Sequence, residues 1–183
     1  ARFALKIDAC KPKWSEKKEF NWQVAKHPLL LLKHKELGKE VVPLNIFLEP
    51  NQRILLISGP NAGGKSVCLK TVGLLQYMLQ CGLLVSVNES SSFTMFKDLF
   101  IDIGDEQSIE NDLSTYSSHL INMKHLLGHV NKKSLFLIDE FGTGTEPQYG
   151  GAIAESILME LKESRGMGVI TTHYGNLKEF ADK

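Results

Sequence analysis

The chain has 183 residues, 43% hydrophobic and 23% charged, which is ordinary for a globular domain long enough to bury a core. Its 21 basic and 21 acidic residues cancel, so composition gives no support to a generic basic surface for nucleic acid, and no apolar run nears the length that spans a bilayer. Cys10, Cys68 and Cys81 are odd in number and lack CxxC spacing, which suggests neither a disulfide framework nor a zinc site and suits a reducing, cytoplasmic setting.

One domain is the default at this length. The sequence opens at Ala1 with no initiator methionine and no signal-peptide pattern, so a piece of a larger protein is expected. From Ala1 to about Lys39 the text is polar and mixed, and KPKWSEKKEF gives way to the apolar run HPLLLLKH. A short helix end, a turn near Pro12 and a strand entering the domain are expected here.

EVVPLNIFLEPNQRILLISG holds two β-rich runs separated by the turn-like cluster Glu49, Pro50, Asn51 and Gln52, which predicts a hairpin feeding a buried strand. Val67, Val72, Leu75, Met78 and Leu79 then recur near helical spacing, and Gly82 sits where that helix should stop. LLVSV and SFTMFKDLFIDIG are strand candidates. Leu113, Tyr116, Leu120, Met123 and Leu127 step by three and four, marking one apolar stripe of a helix that begins near Ser114 and ends at Gly128. Ser134 to Ile138 reads as a short buried strand, Ile153, Ile157, Leu158 and Leu161 as a helix, and GVITT as a last strand. This alternation predicts an α/β fold with a mostly parallel sheet flanked by helices and a β-rich N-terminal part.

Between the run ILLIS and the helix that follows lies GPNAGGKS. Gly59, four residues, Gly64, Lys65 and Ser66 satisfy GxxxxGK[ST] in the strand-to-helix setting that the mechanism of that loop requires. Glycines allow successive backbone N–H groups to turn inward without Cβ clashes, and the helix N-terminus extends the resulting anion nest. Such a nest suits a polyphosphate. The candidate cofactor-binding residues of this phosphate loop are Gly59, Pro60, Asn61, Ala62, Gly63, Gly64, Lys65, Ser66 and Val67. Lys65 would reach the β- and γ-phosphates, and the Ser66 hydroxyl would coordinate the Mg²⁺ that bridges them. A glycine-rich turn with a solvated lysine is the plain alternative.

A nucleotide hydrolase also needs a carboxylate at the end of a neighbouring strand, and SLFLIDE supplies Asp139 and Glu140. Adjacent acids should take different roles: Asp139 would hold Mg²⁺, and Glu140, turned the other way, would polarise the attacking water as general base. His173, just after GVITT, stands where a side chain can hydrogen-bond the γ-phosphate or the water, although a strand-end histidine is more often structural. His119, His125 and His129 lie on or near one helix, and the i,i+4 pair His125 and His129 could in principle bind a metal, but no acidic third ligand is spaced for it.

Taken together, GPNAGGKS, DIGDEQSIENDLSTYSSH, LIDEFGTGTEP and TTHY resemble, in order and spacing, the ATPase domain of the MutS family, a branch of the ABC-type ATPases. Mismatch-repair members are expected to read GPNMGGKST, DEIGRGTST and STFMVEM. Ala62, STYSSH, EFGTGTEP and the run AKHPLL are instead similar to the second MutS branch, the anti-recombination and ribosome-rescue proteins that lack the mismatch-reading domain. That resemblance implies a P-loop NTPase fold of ABC type over residues 40–183, with residues 1–39 leading in from a helical lever region.

It also implies a homodimer in which ATP is sandwiched between the phosphate loop of one copy and a signature segment of the other, here Ser114, Thr115 and Tyr116. A helix N-terminus bearing hydroxyls would aim donors at a γ-phosphate across the interface, while Ser114 and Thr115 could equally cap their own helix. Gly142, Thr143, Gly144 and Thr145 correspond to a loop touching the partner's site, Asp105, Glu106 and Gln107 to a loop coupling γ-phosphate sensing to a lever, and Val41 or Val42 to a surface for adenine. Branched or recombination-intermediate DNA, or a collided ribosome, would be gripped by helical arms outside this chain, and a nuclease domain would follow it. A mismatch-repair ATPase, a clamp-like ABC head and a scaffold that dimerises on ATP without turnover are the competing readings. The first is disfavoured by STYSSH and EFGTGTEP, the second by the absence of an LSGGQ-type signature, and the third by Glu140.

Overall fold

The computed structural model describes residues 2–17, 19–49, 51–60, 63–104, 115–143 and 146–181. They divide into two compact units, one formed by residues 1–52 and 70–95 and the other by residues 53–69 and 96–183. No described helix is long and apolar enough to cross a membrane.

The first unit begins with helix α1 (Arg2–Lys6), strand β1 (Lys13–Trp14), strand β2 (Phe20–Ala25), helix α2 (Pro28–Glu36) and strand β3 (Leu44–Leu48). With β5 (Ser92–Phe93) the strands form a sheet in the order β1-β5-β2-β3, in which β2 pairs antiparallel with both neighbours and β1 parallel with β5. Its core is aromatic. Trp22 stacks on Phe93 with ring centroids 4.2 Å apart and meets Phe20 edge-on at 5.1 Å, both geometries that aromatic quadrupoles favour.

The expected strand is thus β2, whereas the leucine run HPLLLLKH that follows it is helical. His27 and Pro28 explain why: the imidazole accepts the Leu30 N–H at 3.4 Å as an N-cap, and proline occupies the first turn, where its missing N–H is harmless.

The second unit holds β4 (Ile54–Ser58), β6 (Asp98–Asp102), α4 (Thr115–His129), β7 (Ser134–Ile138), α5 (Pro147–Glu163), β8 (Met167–Thr172) and α6 (Gly175–Ala181). Helix α3 (Lys65–Gln80) starts in this unit and runs on into the first. The sheet order is β4-β8-β7-β6 and every pair is parallel, as the strand-helix alternation predicts. Met123 and Leu126 of α4, Ala154, Leu158 and Leu161 of α5, and Phe136 of β7 belong to one buried cluster.

Further expectations are corrected. Gln52 N–H donates to Glu49 O at 2.9 Å, but the runs on either side of it do not form a hairpin. β3 pairs with β2 and β4 with β8, so the flanking strands enter different sheets. On α4, the buried stripe runs through Met123 and Leu126, while Leu120 is 36% exposed, and the helix passes Gly128 to His129. LLVSV contributes only an isolated bridge between Val85 and Cys10.

Candidate active site

Parallel β4, β8 and β7 deliver three chain segments to one edge, the carboxyl ends of the strands, where open α/β sheets bind ligands. Ser58 at the end of β4 pairs with Thr172 at the end of β8, and Ile138 at the end of β7 pairs with Ile170. The glycine loop, His173 and the acid pair therefore emerge side by side by chain connectivity alone.

The loop itself turns on Gly59 and Gly64, with φ of +150° and +78°; a Cβ at either would meet nothing within 4 Å. Gly63 N–H donates to Pro60 O at 3.0 Å, and Cys68 N–H to Gly64 O at 2.9 Å opens the helical ladder of α3. Lys65 is buried, 4% exposed, and its ammonium donates to the Gly59 carbonyl at 2.5 Å, folding the cation across the mouth of its own loop. Ser66 is half-buried in the first turn of α3, and Val67 is exposed. Asn61 and Ala62 lie outside the described residues.

At the end of β7, Asp139 is buried and Glu140 half-buried. The Asp139 N–H donates to Asp102 O at 2.9 Å. Asp139 Oδ1 accepts the Thr171 hydroxyl at 2.5 Å and the Glu140 N–H at 3.2 Å, so that oxygen is fully engaged. Glu140 has φ of +49°, the left-handed region that non-glycine residues enter at a cost of about 1–3 kcal/mol and that clusters at functional sites. Its N–H also donates to Thr171 Oγ1 at 2.8 Å.

The turn after the acids is fixed just as closely. Thr143 N–H donates to Glu140 O at 3.0 Å, and Gly142 has φ of +88°. Tyr174 covers Gly142: its hydroxyl donates to Gly142 O at 2.9 Å, and a Cβ on Gly142 would lie 2.8 Å from its ring. A pocket beside the acids is lined by the polar Asp102, His119, Asp139 and Glu140 and by the apolar Met123 and Ala154.

His173 is exposed at the end of β8. Ser114 lies outside the described residues, as does the side chain of Thr115, the first residue of α4, and so do Asp105, Glu106, Gln107, Gly144 and Thr145. His125 and His129 stack with centroids 4.4 Å apart, and His129 Nδ1 bonds the His125 carbonyl at 2.8 Å, which withdraws one nitrogen from metal binding. Among the described residues no group of three or more His, Cys, Asp or Glu is placed to hold a metal ion.

Sequence reasoning missed Thr171, Tyr174 and the Asp102–His119 contact. A polar residue in an otherwise apolar buried strand, as in MGVITT, was the available signal for the first.

A family model described as MutS domain V matches residues 55–183, and the chain belongs to the MutS family. Over 181 residues, 99% of its length, it is 45% identical to a protein named endonuclease MutS2 from Finegoldia magna, and over 183 residues 45% identical to the one from Caldanaerobacter subterraneus subsp. tengcongensis. The endonuclease MutS2 of Carboxydothermus hydrogenoformans is 43% identical over 181 residues. Within the family the chain falls in the MutS2 branch. It spans about 22% of the length of these curated relatives.

Proposed function

We propose that this chain is an ATP-binding and ATP-hydrolysing domain, a P-loop NTPase of ABC type that serves as one half of a dimeric engine. The convergence of the glycine loop, the two acids and His173 on the carboxyl edge of one parallel sheet carries the reading. Loop amides and the start of α3 would cradle the phosphates, with Lys65 as their counter-charge. Mg²⁺ fits the donor set. Asp139 Oδ1 is engaged, which leaves Oδ2 for the ion together with Ser66, and a small hard cation that keeps phosphate and water ligands needs no all-protein cage. The ion would neutralise charge that builds on the phosphate oxygens. Glu140 would orient the attacking water and take its proton, and His173 would donate to the γ-phosphate.

In the dimer, Ser114 and Thr115 of one copy would complete the site of the other, so that ATP closes the pair and hydrolysis reopens it. Nucleotide contacts that exist only in the closed state are what let a ligand drive such a change. In the whole protein this motion would act on DNA, branched or recombination-intermediate, or on a ribosome, through parts outside this chain. Nuclease chemistry, which the relatives' name carries, is assigned to none of the present residues.

Steady-state ATP turnover per site, measured against protein concentration for the wild type and Glu140→Gln, tests the reading. Specific activity that climbs with concentration, together with an inactive variant, supports the composite site and its base. ATP binding without turnover would leave a nucleotide-responsive scaffold instead.

A further inference from the structure

β8 is buried along its whole length, yet it ends in two threonines that are both 0% exposed. A hydroxyl at such depth is costly unless bonded. Strand alternation sends the two side chains to opposite faces, and each finds the turn that carries the acids. Thr172 Oγ1 donates to Phe141 O at 3.1 Å and accepts the Tyr174 N–H at 3.1 Å. Thr171 Oγ1 donates to Asp139 Oδ1 and accepts from Glu140 N–H. The backbone carbonyl of Thr171 also accepts the Phe141 N–H at 2.8 Å.

We propose that Thr171 is the positioning residue of the acid pair, setting the Asp139 carboxylate toward Mg²⁺ and holding Glu140 in its left-handed backbone through one hydroxyl. The proposal rests on the ATPase reading above and assigns Thr171 no contact with nucleotide. Its logic is geometric. A hydroxyl has one proton, and here it is committed to Asp139, which fixes which carboxylate oxygen is occupied and which is left for the cation. Its lone pair meets the amide of the next residue, and that amide belongs to a residue whose φ of +49° needs external support. A single group thereby ties the rotamer of one acid to the backbone of the other, across a separation of 31 and 32 residues in sequence.

The test compares wild type, Thr171→Val and Thr171→Ser in the full-length protein, with folding checked by thermal melts. Valine keeps the branched shape and the backbone carbonyl while deleting the hydroxyl, and serine retains the hydroxyl. Two readouts are taken: Mg²⁺ dependence of binding of a fluorescent ATP analogue, and kcat and KM for ATP. The valine variant should bind the analogue normally without Mg²⁺ but need roughly 10- to 100-fold more Mg²⁺ for half-saturation, the usual effect of removing a group that orients a metal ligand. Its kcat should fall over the same range with KM little changed, and serine should restore both.

The proposal is overturned if the valine variant matches wild type in Mg²⁺ dependence and kcat, or if serine is as impaired as valine. If the wild type binds Mg²⁺-nucleotide without turning it over, the ATPase reading fails, and the Mg²⁺ shift alone decides Thr171. If the wild type binds no nucleotide, both fall together.

Discussion

His119 and Asp102 join helix α4 to the turn that carries the acids: the imidazole Nδ1 lies 2.9 Å from Asp102 Oδ2, while the Asp102 carbonyl accepts the Asp139 N–H. A carboxylate can only accept, so Nδ1 carries a proton whether or not the ring is charged. Asn122 donates to the other oxygen of Asp102 at 2.9 Å. The two side chains are mostly sheltered, at 21% and 15% exposure, where a charge-assisted hydrogen bond is worth about 1.5–3 kcal/mol. Asp102→Ala should lower stability by about that amount, and a double-mutant cycle with His119→Ala should give a coupling of about 0.5–3 kcal/mol by denaturant unfolding. Strictly additive losses would show that the contact does not join the two elements.

Lys65 is where the nucleotide reading is most exposed to failure. Its ammonium is already drawn onto the loop, bonded to Gly59 O, so it needs little reorganisation to meet a phosphate. Lys65→Ala should abolish tight ATP binding in a fluorescence or calorimetric titration, with a melt of the ligand-free variant to separate that loss from any loss of fold caused by removing a buried, bonded side chain. Undiminished affinity would remove the lysine, and with it the loop, from the proposed site.

Glu140→Gln separates binding from chemistry. The amide keeps the shape of the side chain and the backbone bond to Thr171, but it cannot take a proton from water. Turnover should drop by roughly 10²- to 10⁴-fold, the usual worth of a positioned general base, while ATP affinity persists and a closed dimer accumulates on sizing columns. Wild-type turnover in this variant would mean that another group activates the water.

Much of the site could be read in advance because its parts are local. A glycine loop between a strand and a helix, and acids closing a continuous apolar run, are spelled in adjacent residues, and buried parallel strands such as β7 show as such runs. Pairing between distant segments is not spelled that way. The turn at Glu49–Gln52 looks like a hairpin turn whichever sheets β3 and β4 join. Leu126 and Leu127 both continue a stripe of threes and fours, and only the folded packing shows that Leu126 is buried in the cluster while Leu127 is partly buried against it. Thr171 reads as ordinary strand propensity until the fold brings it to residues 31 positions away. The four leucines after Pro28 satisfy a strand or a helix, and the His27 cap decides.

Gly168 gives a stability prediction in the same sheet. It lies in β8 beside Phe136 of β7, and a Cβ there would come within 1.9 Å of the phenyl ring. Both residues sit in a filled interior, so the ring has nowhere to retreat without displacing its neighbours. Gly168→Ala should therefore cost about 1–3 kcal/mol in urea unfolding, as overpacking does. An unchanged midpoint would mean that the Phe136 ring can repack freely.

Cys68 supplies a prediction in pH. Burial raises its thiol from the ordinary 9.0 to about 11, because the thiolate would lose its hydration in the second turn of α3. Cys81, by contrast, is exposed. At pH 8 iodoacetamide should modify Cys81 first and leave Cys68 intact in the folded protein, with mass spectrometry of peptides as the readout. The raised value also fixes a sign for stability. Between 9.0 and about 11 the unfolded chain releases a proton that the folded chain keeps, so the stability linked to this thiol is whole below 9.0 and declines as pH climbs through that window. Comparing wild type with Cys68→Ala isolates the effect from other alkaline titrations. The wild type should lose more stability than the variant over that range, and parallel pH profiles would show that the thiol is reached by water in the native state.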